Sequence, residues 1–230
     1  MITKRLPIIE RHGWWLLETD RGVSEFLARN EPYEPHIARR CAQLDMDGTI
    51  ALDIGANVGA HTVTFAELVG DTGIVYAFEP QHIVYLQLCA NVVTRGLVNV
   101  WPGMTCIGEK TQAVKIETRD FTETAPVNIG DTHVSAEGQD VMMFTLDDIL
   151  ALEDKRRVSV IKLDIQGYEL FALQGGERRI MKDRPEIFIE IEPPHLTRFG
   201  LTDNDVLRWL EEHNYACVRD HDYDWVASPR

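Results

Sequence analysis

Ala51-Leu52-Asp53-Ile54-Gly55-Ala56-Asn57-Val58-Gly59 decides the reading of this chain, with Phe78-Glu79-Pro80 a short way downstream. The apolar run Thr49–Ile54 reads as a strand with Asp53 near its end. Gly55, Asn57 and Gly59 make a turn, and Thr62–Val69 reads as an apolar helix closed by Gly70, a helix C-terminal signal. Ile74–Phe78 is a second short strand, and Glu79 follows it, 20 residues past Gly59. Strand, glycine turn, helix, strand and acid form the layout that holds a nucleoside at the carboxyl ends of a parallel sheet.

The loop chemistry narrows the nucleoside. A dinucleotide loop of the G-x-G-x-x-G kind uses its second glycine to bring backbone against a pyrophosphate. Here Asn57 holds that position and Ala60 the last one. A P-loop needs Gly-Lys-Ser/Thr, but Gly59 is followed by Ala60, His61 and Thr62. S-adenosylmethionine (SAM) carries no phosphate and has a cationic sulfonium and an ammonium group, which an acid beside the glycines (Asp53) suits. A carboxylate at Glu79 can accept both ribose hydroxyl protons, a placement that fits NAD and SAM equally. Singly, Asp53 reads as a turn cap and Glu79 as a solvated strand end. Their agreement with the loop and the element order favours a pocket.

The 230 residues are enough for one sizeable α/β domain (residues 48–230) behind an N-terminal cap segment (residues 1–47), and a hydrophobic fraction of 44% supplies a full core. The net charge of −14 disfavours binding to nucleic acid or to an anionic membrane. Arg156-Arg157 and Arg178-Arg179 read as solvated helix or loop faces. The four cysteines, Cys41, Cys89, Cys106 and Cys217, are scattered without a C-x-x-C pair. They read as thiols in a reducing, cytoplasmic compartment, not as a disulfide frame or zinc site. Met1–Glu10 lacks the apolar run of a signal peptide, and no stretch approaches a membrane span.

The remaining pattern alternates. Gly13–Thr19 suggests a strand and Pro35–Leu44 a helix, with Ile37, Ala38, Cys41 and Leu44 at helical spacing. Ile83–Arg95 reads as a helix with Leu86, Ala90 and Val93 in its stripe, followed by a strand at Val98–Pro102. Residues 107–145 break the alternation, with strands at Ala113–Glu117 and Val141–Thr145 around a polar loop expected to overlie the active site. Leu146–Leu152 suggests a helix. Val158–Asp164 is nearly all apolar, as a central parallel strand should be. A helix over Glu169–Met181, which Gly175-Gly176 can shorten, leads to a strand at Glu186–Glu192. Asp203 caps a helix over Asn204–His213, with Leu207 and Leu210 inward. Two strands, Tyr215–Arg219 and Asp224–Val226, end the chain around His221-Asp222-Tyr223. The fold class is therefore α/β: a Rossmann-like, mostly parallel sheet sandwiched by helices, with a C-terminal antiparallel hairpin.

A second constellation, Lys162-Leu163-Asp164-Ile165-Gln166-Gly167-Tyr168-Glu169, ends the central strand. Strand alternation puts Lys162 and Asp164 on one side. Methyl transfer to oxygen needs in-line approach and a base for the hydroxyl proton. Asp164 is the candidate base or acceptor-positioning group, with Lys162 beside it and Glu169, Glu190 and Glu192 as neighbours. The alternative is that Asp164 caps the next helix and pairs with Lys162. The Asp/Asn-Pro-Pro-Tyr/Phe signature of amino-group methylation does not follow this strand. Glu192-Pro193-Pro194-His195 follows the next one, so oxygen is the expected acceptor atom.

With these motifs in place, the chain resembles the FkbM family of SAM-dependent methyltransferases. The resemblance rests on Tyr33-Glu34-Pro35, Leu52–Gly59, Ala77-Phe78-Glu79-Pro80, Asn91, Thr145-Leu146-Asp147-Asp148, Ile161–Glu169, Leu173-Gln174-Gly175-Gly176 and Arg184–Glu190. It implies a class I methyltransferase fold. It also implies O-methylation of small-molecule, sugar-like or lipid-linked acceptors, with SAM held by Asp53, Gly55, Asn57, Gly59 and Glu79. Thr62, Ala56 and Pro80 complete the candidate cofactor set. The family usually has an acid where Gln166 stands, which opens the possibility of a different acceptor or of a weak, SAM-binding module.

Other residues carry less. His61 reads as a helix start and His195 as a loop histidine. Asp164, Glu190 and Glu192 are a conceivable metal set, but no ligand spacing demands one, so no metal is assigned. Trp14, Trp15, Trp101, Trp209 and Trp225 read as packing residues. An NAD-linked dehydrogenase and a nucleic-acid methyltransferase are the competing enzymes, opposed respectively by Asn57 with the terminal hairpin and by the acidic charge.

Overall fold

The computed structural model of the protein describes residues 5–122, 125–150 and 155–230. The chain opens with a hairpin, β1 (Ile8–Arg11) and β2 (Trp14–Leu17), then α1 (Val23–Ala28) and α2 (Pro35–Cys41). The first alternating unit is β3 (Ile50–Ile54), α3 (Ala60–Val69), β4 (Ile74–Phe78), α4 (His82–Thr94) and β5 (Val100–Gly103). Short strands β6 (Cys106–Ile107), β7 (Gln112–Ile116), β8 (Val134–Ser135) and β9 (Gln139–Phe144) follow, with α5 (Leu146–Ile149). Then come β10 (Val158–Leu163), α6 (Glu169–Gly175), α7 (Glu177–Asp183), β11 (Glu186–Glu190), α8 (Pro193–Thr197), α9 (Asp203–Glu212), β12 (Tyr215–His221) and β13 (Asp224–Pro229).

The main sheet is seven-stranded in the order β12-β13-β11-β10-β3-β4-β5. The strands from β11 across to β5 run parallel, while β13 pairs antiparallel with both β11 and β12. β3 and β10 are buried along their whole length because helices cover both faces. They are also the pair from which the chain winds outward in both directions, so a crevice opens at their carboxyl ends. β6, β9, β7 and β8 form a second sheet from the region that broke the alternation.

Several elements differ from the sequence reading. The helix-two stripe is wrong: in α4 Leu86 and Val93 are exposed, and the buried positions are Val84, Gln87, Leu88, Asn91 and Val92. Polar residues occupy that buried face because they bond to backbone. The Asn91 amide accepts from Trp15 N–H at 2.7 Å and donates to the Val58 carbonyl at 2.8 Å, tying β2 to the glycine loop. The strand expected at Gly13–Thr19 belongs to the β1–β2 hairpin. The helix after β10 is two, α6 and α7, divided at Gly176. Thr202, not Asp203, caps α9, because Thr202 and Asp205 form a reciprocal capping box. Arg179 is buried against Asp183, not solvated. Trp101 lies on the edge strand β5 and is 60% exposed, an edge position and not a core one. The last turn of the Leu146–Leu152 helix lies outside the described residues. All four cysteines are free thiols, and among the described residues no helix is long and apolar enough to cross a membrane.

Candidate active site

A cavity opens at the carboxyl ends of β3, β4, β10 and β11, and one half of it is built largely from backbone. Gly55 leaves β3 at φ +83°, and a Cβ there would lie 1.9 Å from the Asp164 carbonyl oxygen. Glycine is needed because the end of β10 crosses directly above it. Asn57 takes φ +50°, a left-handed conformation that asparagine tolerates. Its N–H donates to Glu79 Oε2 at 3.1 Å, and Gln81 N–H donates to Glu79 Oε1 at 2.8 Å. The Glu79 carboxylate thus fastens the loop to the end of β4, and each oxygen keeps lone pairs for a ligand. Burial pushes its pKa up to about 7, although the two N–H bonds favour the charged form.

Gly55, Ala56, Asn57, Glu79 and Pro80 line the cavity. Asp53, Gly59 and Thr62 stand behind that lining. The Thr62 hydroxyl donates to Asp53 Oδ2 at 2.5 Å, and Asp53 sits in register beside Lys162 on β10. Asp53 therefore serves as a counter-charge inside the sheet, and Gly59 caps α3 behind the wall. The loop of the second sheet does overlie the cavity: Asn128, Gly130, Thr132 and His133 are on its wall. Gln81 holds that loop, donating to the Ile129 carbonyl and accepting from the Thr132 hydroxyl.

The other half is built from charge. Lys162 Nζ donates to Asp164 Oδ2 at 3.1 Å. Gln166, at φ +58°, donates through Nε2 to Asp164 Oδ1 at 3.1 Å and to Glu190 Oε2 at 3.0 Å. Burial opposes charge on both Lys162 and Asp164, but their attraction outweighs it: the lysine pKa is raised and the aspartate pKa lowered. Asp164 pushes the Glu190 carboxyl up to about 10, with burial adding to the effect. The two acids thus favour opposite protonation states, the charge on Asp164 and the proton on Glu190. Asp164 does not cap the following helix. The Ile165 and Gly167 N–H groups donate instead to Glu169 Oε1, at 3.0 and 3.1 Å.

Sequence reasoning expected specificity in the N-terminal segment but named no chemistry there, and it undervalued His61. Tyr33 lines the cavity, and Glu34 Oε2 lies 2.8 Å from His61 Nε2. Burial drives the Glu34 carboxyl up, but the His61 hydrogen bond and the Lys162 charge overcome it and hold its pKa at about 2. His61 is thus a buried member of the cavity wall and not merely a helix start. The signals were present, in Tyr33-Glu34 before Pro35 and in a histidine just past the loop, but nothing in the spacing brings residues 33 and 61 together. His195 lies in α8, not in a loop.

A loop without a phosphate cradle, beside a cavity richer in acids than in cations, belongs with a group of known domains. The chain belongs to the Methyltransferase FkbM domain family, which matches residues 53–217. Tyr33-Glu34-Pro35, part of the sequence resemblance, lies outside that span. The structure of Methyltransferase FkbM from Methylobacillus flagellatus KT is similar, with a TM-score of 0.53 at 19% identity, over 89% of this chain and 52% of that one. The chain spans about half the length of that relative. A putative rRNA-methylase from Clostridium thermocellum matches with a TM-score of 0.50 at 10% identity, over 84% of this chain and 92% of that one. No curated protein sequence matches. At these identities the two structures show a shared fold, and it is of the class I methyltransferase type. Membership in a methyltransferase family decides against the NAD-linked alternative.

Proposed function

We propose that this FkbM domain transfers a methyl group from SAM to a hydroxyl oxygen of a small polar acceptor, of the sugar or natural-product class. The observation that carries the reading is the convergence of Lys162, Asp164, Gln166 and Glu190 across the cavity from the Glu79 loop. The residues fit the cofactor. Glu79 presents free lone pairs on two oxygens, which suits a ribose diol. Gly55 and Ala56 offer close backbone, and no lysine waits for a phosphate. SAM supplies an electrophilic methyl on a sulfonium, whose positive charge the acidic cavity favours.

Each remaining step falls to the chain itself. Tyr33 and the 128–133 loop close the wall and exclude water. Asp164, kept ionised by Lys162, accepts a hydrogen bond from the acceptor hydroxyl and points its oxygen at the methyl group. As the new O–C bond forms and the S–C bond breaks, the hydroxyl proton passes to Asp164. Gln166 fixes the Asp164 carboxylate, so the base meets the acceptor in one orientation.

The test has two stages. Calorimetric titration with SAM, and with NAD in parallel, should give SAM binding that Glu79→Ala removes. Transfer of labelled methyl to a panel of polyhydroxylated acceptors should then depend on Asp164. NAD binding without SAM binding, or label recovered on nitrogen, overturns the reading.

A further inference from the structure

We propose that Glu190, Glu192 and His195 form a divalent-cation site at the acceptor end of the cavity, one that takes Mn2+ or Zn2+ in preference to Mg2+. One ligand atom from each of the three lies within 4.8 Å of the others. Donors around an ion at about 2.0–2.2 Å are at most about 4.4 Å apart, so side-chain rotation of a few tenths of an ångström closes the set. The backbone builds this proximity. Glu190 ends β11 and Glu192 follows two residues on, so both carboxylates leave on the same side. Pro193-Pro194 turns the chain into α8, which brings His195 back toward Glu192. Gly167 permits the approach: at φ +104°, a Cβ there would stand 2.4 Å from the His195 carbonyl oxygen.

One further observation separates this set from an ordinary acidic cluster. Among the described residues, buried His195 Nδ1 has no hydrogen-bond partner, although Glu192 Oε2 is 3.2 Å away. Two donors that close, without hydrogen-bond geometry, suit lone pairs directed at a common third atom. On the opposite side of the ring, Asp131 Oδ1 lies 3.8 Å from His195 Nε2. That is beyond hydrogen-bond distance, so Asp131 adds negative charge beside the ring without fixing its orientation. The imidazole is what favours Mn2+ or Zn2+, because Mg2+ prefers all-oxygen surroundings.

Glu190 also lines the cavity and accepts from Gln166, so an ion held there would stand beside Asp164. Three protein ligands leave coordination positions for an acceptor oxygen, whose proton the ion would make easier to remove. This catalytic use rests on the proposed methyl transfer, but cation binding does not.

The test uses the full chain, stripped with chelator. Loss of the free Mn2+ spin-resonance signal should report one saturable site per chain. Glu192→Gln and His195→Gln should each weaken it at least tenfold, with SAM affinity unchanged. Pulsed spin resonance on the Mn2+-loaded wild type should show coupling to an imidazole nitrogen, a readout that needs no variant to fold. Absence of that coupling, absence of a saturable site, or wild-type binding in both variants overturns the proposal. If SAM still binds in those cases, the methyltransferase reading stands. A Mn2+ site without SAM binding would uphold the cation site and overturn the methyltransferase reading.

Discussion

The two halves of the cavity are made in opposite ways. The cofactor half comes from one continuous β-α-β run: Gly55, Ala56, Asn57, Glu79 and Gln81 lie within a single supersecondary unit. The acceptor half is gathered from four separate places, with Tyr33 and Glu34 from the N-terminal segment, His61 from α3, Lys162 through Gln166 from the end of β10 and the turn after it, and Glu190 from β11. Backbone geometry shapes the first, and a balance of buried charges shapes the second. Local geometry leaves a mark in sequence spacing, whereas a balance of charges brought together by tertiary structure does not. The nucleoside class was therefore readable and the acceptor was not.

If the halves are separable, Asp164→Asn should have the largest effect. Turnover on a hydroxyl acceptor should fall about 10³-fold, the usual scale for loss of a positioned base. The dissociation constant for SAM, measured by calorimetry, should stay within about threefold because neither backbone nor Glu79 is disturbed. An equal loss of SAM binding would mean that the Lys162–Asp164 pair holds both halves. Glu79→Ala should do the converse. Hydrogen bonds to a charged acceptor contribute about 1.5–3 kcal/mol, so SAM affinity should drop about 10- to 150-fold. Turnover at saturating SAM should change far less.

The same contrast explains what the sequence disclosed. β4 was legible to the residue, because an apolar run bounded by Gly73 and Glu79 has one sensible reading. The face of α4 was not, because Gln87 and Asn91 are buried on it. Each satisfies backbone groups of the N-terminal hairpin or the glycine loop, and a polar residue on a core face breaks the apolar period. Asp53 was assigned to the ligand because it stands beside the glycines. It also faces Lys162, one strand across, and pairing between strands distant in sequence leaves no trace in spacing. Gln166 looked like a missing acid, yet its amide donates to both Asp164 and Glu190 and joins the two side chains.

A third prediction concerns pH. Glu79 has a pKa of about 7 in the folded protein, so it is charged above that value and neutral below it. The charged form is the better acceptor for ribose hydroxyls. SAM should therefore bind about tenfold more weakly at pH 6 than at pH 8, one pKa unit on either side of the transition. The dependence should vanish in Glu79→Gln. A pH-independent affinity in the wild type would mean that the cofactor half relies on backbone alone.

The smallest effect on activity near neutrality belongs to the Glu34–His61 pair, because Glu34 does not titrate there. Its effect is on stability in acid. The Glu34 pKa falls from 4.5 to about 2 on folding, so the folded state favours the ionised carboxyl. That stabilisation is complete above about pH 5 and is lost as pH falls toward 2, and the shift is worth on the order of 3 kcal/mol. Buried Glu79, Glu169 and Glu190 have raised pKa values and act in the other direction, losing stabilisation as pH rises above 4.5. Their effect is common to wild type and Glu34→Gln, so it cancels in the difference. Urea midpoints at pH 5, 4 and 3 should therefore show the wild-type advantage over Glu34→Gln shrinking with each step. An advantage that stayed constant would mean that packing, not charge, ties the N-terminal segment to the sheet. The acceptor half would then owe Tyr33 to shape alone.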